Sequence, residues 1–141
     1  MPRILIAIDG SEPSEKALDF AFERHADADL VAVSVLDPTA YVQGSADLIL
    51  PDVDSWREDA EADVRSVLDA AADRAGTYGI DLETEVVHGA PARSIVEYAD
   101  DNDVDQIIVG SHGRDGVSRV LLGSVAETVV RRSSVPVTVV R

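Results

Sequence analysis

Residues 105–109, an apolar run rich in β-branched side chains, are followed by a loop holding Gly110, Gly113 and Gly123, and then by a helical pattern over 124–132. This order constrains the chain more than any other feature, because strand, glycine loop and helix together build an anion site. Backbone N–H groups converge on a phosphate only where no Cβ blocks the approach and the chain can visit positive φ; glycine meets both conditions. Ser124 follows Gly123 at the helix start and adds a hydroxyl to the unpaired first-turn N–H groups and the positive end of the helix dipole. Such a site needs no lysine. The chain has one, Lys16, and no Gly-x-x-x-x-Gly precedes it, which excludes a Walker-type P-loop. The spacing also fails the Gly-x-Gly-x-x-Gly dinucleotide fingerprint, which belongs after a first strand, whereas this loop lies near the C-terminus.

The rest of the chain alternates in the same way. Strands are predicted over 3–8, 29–36, 80–87, 105–109 and 135–140. Helices are predicted over 14–25, with Ala17, Leu18, Ala21 and Phe22 on one face, and over 52–75, with Ala60, Val64, Leu68, Ala71 and Ala75 spaced as a core stripe. A short helix opened by Pro91 and the helix at 124–132 complete the set. The third strand alternates Leu82, Thr84 and Val86 with Asp81, Glu83 and Glu85, so one face should be wet, as at a sheet edge. Pro38, Gly44 and Pro51 leave 37–51 without regular structure, and Leu48, Ile49 and Leu50 within it read as an anchor into the core or a cover for a site. Strands alternating with helices mean right-handed crossovers: an α/β fold, one domain over 1–141, with an open five-stranded parallel sheet and helices on both faces.

Composition bounds the function. The 141 residues carry 27 acidic and 12 basic side chains, a net charge of −15, which argues against nucleic acid or an anionic membrane as partner. Eighteen aspartates against one lysine and eleven arginines suggest a salt-adapted proteome. With no cysteine, thiol catalysis is excluded and a reducing cytoplasm fits. No apolar run reaches membrane-spanning length, so a soluble, cytoplasmic protein is expected. The three histidines, His25, His88 and His112, are dispersed, which leaves no His-based metal site.

The loop's full pattern, Gly110-x2-Gly113-x9-Gly123-Ser124, resembles the ATP-binding motif of the universal stress protein family, Gly-x2-Gly-x9-Gly-Ser/Thr. The resemblance extends to Ile4-Leu5-Ile6-Ala7-Ile8-Asp9-Gly10-Ser11, to Val33-Ser34-Val35-Leu36-Asp37 and to 135–140, and covers nearly the whole chain except 38–55. It implies a Rossmann-like sheet of order 3-2-1-4-5, with a crevice at the C-terminal ends of strands one and four. It further implies ATP in that crevice, with or without magnesium: adenine near Ala7 and Val35, ribose near Asp9, phosphates near Gly110, Gly113, Gly123, Ser124 and Val125, and Val109 among the nucleotide-binding residues. A homodimer through the C-terminal strand is implied as well.

On the residues alone, Asp9 reads first as an Asx-turn or helix-entry residue, and Ala7 and Val35 as core; the family match is what makes them site candidates. His112 is a phosphate donor or a loop-structuring residue, and Arg114 a mobile phosphate contact or a solvated cation. Ala126 stands where some ATP-binding members carry threonine, which removes one hydroxyl donor. No catalytic residue is assigned. Asp9, His112 and Arg114 are the one set from which a slow ATPase could be built, and a nucleotide-independent interaction module is the remaining alternative.

Overall fold

The computed structural model describes residues 1–38, 53–111 and 122–141, with the backbone alone described for 53–56. Five strands, β1 (Arg3–Ala7), β2 (Asp29–Leu36), β3 (Glu83–His88), β4 (Gln106–Gly110) and β5 (Val137–Val140), pair in parallel in the order β3-β2-β1-β4-β5. Four helices lie between them among the described residues: α1 (Glu12–Arg24), α2 (Val53–Thr77), α3 (Pro91–Asp101) and α4 (Ser124–Arg132). The fold class is the one read from the alternation of strands and helices, and the strand order is the one the family resemblance implies.

Because successive strand side chains point to opposite faces, the sheet builds two cores. Ile4, Ile6, Leu30, Ala32 and Ile108 meet α1 through Leu18 and Phe22, and α2 through Val64 and Leu68. Leu5, Val31, Val33, Ile107 and Val109 face the other way and meet α3 through Ile95 and Tyr98, and α4 through Ala126 and Val129. The helical stripes read from the sequence are the buried faces of α1 and α2.

Boundaries shift where local chemistry allows it. Helix α1 starts at Glu12 rather than 14, since Pro13 falls in the first turn, where its missing N–H costs nothing, and the Ser11 hydroxyl caps it by accepting from the Ser14 N–H at 3.4 Å. Helix α2 passes through Gly76 to Thr77. A lone glycine near a helix end costs only about 1 kcal/mol. Strand β3 begins at Glu83 and lies at the sheet edge with Glu83 and Glu85 exposed, as the alternation predicts, and both carboxylates are hydrogen-bonded. Arg3 donates to Glu83 at 3.1 Å and to Asp29 at 2.8 Å, and the buried Tyr98 hydroxyl donates to Glu85 at 2.6 Å. Burial opposes the charge of the Arg3 guanidinium, yet hydrogen bonds with Asp29, Tyr98 and Glu83 outweigh it and hold the pKa above the ordinary arginine value. Burial and the bond to Glu85 push the Tyr98 hydroxyl up to about 12. Strand β5 starts at Val137, two residues later than predicted, because Val135 is held by Ser133: its N–H donates to the Ser133 hydroxyl at 3.0 Å, which in turn donates to the Val135 carbonyl at 2.7 Å. No helix among the described residues is long and apolar enough to cross a membrane.

Candidate functional site

The strand registers leave a notch at the C-terminal edge of the sheet. Ala7 pairs with Val33 on one side and Val109 on the other, and the ladder closes with the Ile8 N–H donating to the Val33 carbonyl at 2.9 Å. Strand β2 runs on to Val35 and Leu36, paired with Val87 and His88 of β3, and β4 runs on to Gly110, paired with Val140. The strand between them therefore ends before both neighbours, and the residues after it, Asp9 to Ser11, form a turn. This is the switch point of an open α/β sheet, where neighbouring connections leave in opposite directions.

The turn is tightly specified. Asp9 Oδ1 accepts from the Ser11 N–H at 2.9 Å, which forms the Asx-turn that the sequence left as an alternative to ligand binding. Gly10 sits at φ 81°, a conformation that side-chain-bearing residues rarely adopt. Ser14, buried in the first turn of α1, donates its hydroxyl to the Ser11 carbonyl at 2.9 Å and accepts from the Asp9 N–H at 3.4 Å. Sequence reasoning missed this serine. Its signal was a second hydroxyl three residues after the cap, at a position a helix turns inward.

Gly110 is required for a different reason from the one expected. It does not stand among the positive-φ glycines; instead, a Cβ there would lie 2.7 Å from the Pro13 carbonyl carbon and 2.8 Å from its oxygen. The glycine lets the end of β4 touch the first turn of α1, which brings the Asp9 turn beside the start of the glycine loop. Gly123 is likewise extended, with φ −64° and ψ 158°, so its backbone makes no use of positive φ. It is buried at the N-cap of α4 and offers no capping side chain.

Ser111 ties these parts together. Its N–H donates to the Val140 carbonyl at 2.8 Å, and its carbonyl accepts from the Gly123 N–H at 2.7 Å. The first intrahelical bond of α4 runs from Glu127 N–H to the Gly123 carbonyl at 3.0 Å. The N–H groups of Ser124, Val125 and Ala126 thus precede the helical ladder, at an N-terminus that carries partial positive charge. Ser124 and Val125 are exposed there, while Ala126 is buried in the core against β4. The structure brings Ala7, Asp9, Val35, Val109, Gly110, Gly123, Ser124 and Val125 to one edge of the sheet. His112, Gly113 and Arg114 lie outside the described residues, as do Leu48, Ile49 and Leu50.

The sequence model of the universal stress protein family matches residues 1–141. The chain belongs to that family. Among universal stress proteins, MJ0531 of Methanocaldococcus jannaschii is 34% identical over 145 residues, covering 99% of this chain and 81% of that one. The solved structure of MJ0577 from the same organism superposes with a TM-score of 0.82 at 28% identity, over 98% of this chain and 94% of the other. A universal stress protein in complex with cAMP superposes with a TM-score of 0.70 at 29% identity, over 99% and 96% of the two chains.

Proposed function

We propose that this chain, as one universal stress protein domain over 1–141, binds ATP in the notch above β1 and works as a nucleotide-dependent stress-response switch. The carrying observation is the α4 N-terminus: three N–H groups ahead of the helical ladder, no capping side chain at Gly123, and a position one hydrogen bond from the loop that leaves β4. Such a terminus favours an anion. A family relative held with cAMP supports an adenine nucleotide as the ligand. Adenine would rest near Ala7 and Val35, ribose near Asp9, and the phosphates near Gly110, Gly113, Gly123, Ser124 and Val125, with Val109 at the end of β4 also in the site, His112 and Arg114 as loop contacts, and the nucleotide bound with or without magnesium. Binding rather than turnover is the reading, because no side chain is assigned as general base or as the transition-state cation that hydrolysis requires. The setting is a salt-adapted cytoplasm, the assembly a homodimer through β5, and neither nucleic acid nor membrane is a partner of a chain with net charge −15.

The test is calorimetric titration of magnesium-ATP into nucleotide-stripped protein, at low and at molar potassium chloride. Saturable binding should persist at molar salt, where the charge of the chain is screened within about 3 Å and the local N–H donors remain. The informative variant is Ser124→Pro. Proline is favoured at the first helical position, and the extended Gly123 before it is already compatible, so the helix stays while one hydroxyl and one N–H leave the site. Gly123→Val, which puts a branched side chain at the buried cap, is the stronger lesion. Undiminished ATP affinity in a folded Ser124→Pro protein rejects the α4 N-terminus as the phosphate site.

A further inference from the structure

The notch has unequal walls. On the β4 side the sheet rises by one residue, Gly110, whereas on the β2 side it rises by three, from the Val33 partner of Ala7 to Leu36. Strand β3 rises with it, residue for residue, and the Gly89 N–H donates to the Leu36 carbonyl at 3.0 Å, which locks the two strand ends together. The result is a two-stranded shoulder above β1. On the face shared with Ala7 and Val109, the shoulder presents Val35 and its register partner Val87, both partly buried and both packed on the same apolar cluster. Two residues below Val87 the same strand face turns polar, at Glu85 bonded to Tyr98. Sideways, the apolar surface of the shoulder ends at Val87, because β3 is the edge strand.

We infer that Val87 of β3 is the far wall of the base subsite and sets its preference for a purine. This rests on the nucleotide reading above and deepens it. A base lying against Ala7 and Val35 extends away from the phosphates, across β2 and toward β3. A single-ring pyrimidine stops over Val35, while a two-ring purine reaches Val87 and buries its outer ring there. The selectivity is one of shape: a valine side chain has no hydrogen bond to offer, so it discriminates by the length of apolar floor it leaves.

The experiment is equilibrium dialysis of ATP and CTP with wild type, Val87→Phe and Val87→Leu, each checked for folding by circular dichroism. Filling the wall should weaken ATP by about tenfold in the phenylalanine variant, as overpacking a closed site does, and less in the leucine variant. CTP affinity should hold, so that the ATP/CTP ratio collapses. A residue with a merely structural role would move both nucleotides together. Equal losses for ATP and CTP, or an unchanged ratio in folded variants, overturn the assignment while leaving the nucleotide site standing. Wild-type protein that binds neither nucleotide overturns the site itself and this inference with it. Val87→Leu carries the comparison if the phenylalanine variant does not fold.

Discussion

Gly110 is the residue at which packing and site geometry meet. Its missing Cβ is replaced by Pro13, whose backbone carbonyl carbon and oxygen stand 2.7 and 2.8 Å from where that atom would be. Backbone cannot swing aside as the end of a long side chain can, so Gly110→Ala must push α1 away from β4. Overpacking of this kind costs about 1–3 kcal/mol. The expected outcome is a lower urea midpoint with an unchanged slope; a wild-type midpoint would mean that the contact relaxes freely. The glycine itself was legible in the sequence, as part of a spaced pattern, but its cause was not. Pro13 is 97 positions away and the contact exists only after β4 has paired with β1, so a sequence reading assigns backbone freedom where the structure uses close approach. The Asp9 case runs the other way. Aspartate followed by glycine and serine states its Asx-turn locally, and the bond from Ser11 N–H to Asp9 Oδ1 is that local signal realised.

Elements were the most legible scale, because a helix with one buried face and a strand buried on both announce themselves by period alone. The stripe from Ala60 to Ala75 and the run from Leu30 to Leu36 are both found buried where the pattern puts them. Pairs between elements were not legible, and the α1–α2 contact illustrates it. Arg74 reaches across with a bidentate bond to Asp19, at 2.6 Å from both Nε and Nη2. The Arg74 hydrogen bond holds the Asp19 carboxyl below its ordinary value of 3.8, against a smaller opposing push from burial. A carboxyl lowered in the folded state stabilises the fold fully above its unfolded pKa and loses that contribution as pH falls through the folded value, since the unfolded chain takes up the proton first. Both side chains are partly solvated, so solvent screening limits the pair to about 0.5–1 kcal/mol. Asp19→Asn should therefore be less stable than wild type at pH 7, with the gap closing as the pH drops below about 4. Urea denaturation at several pH values measures the gap, and a difference independent of pH would assign the loss to packing rather than charge.

At the scale of the molecule, the sheet has two edges of opposite character. Strand β3 carries Glu83 and Glu85 on an exposed strand, and acidic side chains along an edge repel an added strand. Strand β5, Val137-Thr138-Val139-Val140, carries no charge and remains partly exposed along its length. In a chain of net charge −15, an uncharged edge lets two copies approach with less repulsion than the acidic β3 edge does. Its outward hydrogen-bonding groups follow from the inward ones. The Pro136 carbonyl accepts from Ile107 N–H at 2.9 Å and the Val140 carbonyl from Ser111 N–H at 2.8 Å. In a parallel ladder alternate residues face the same neighbour, so Pro136, Thr138 and Val140 serve β4 while Val137 and Val139 direct their N–H and C=O groups away from the sheet. That places Pro136, which has no N–H to give, at the start of the inward set, where one missing donor is tolerated. It also supplies a clean probe of the proposed homodimer. Val139→Pro deletes one outward N–H, leaves the β4 ladder intact and keeps an apolar side chain on the α4 core. If copies pair through β5, wild type should scatter light as a dimer and the variant as a folded monomer; a variant that remains dimeric would move the interface off this edge.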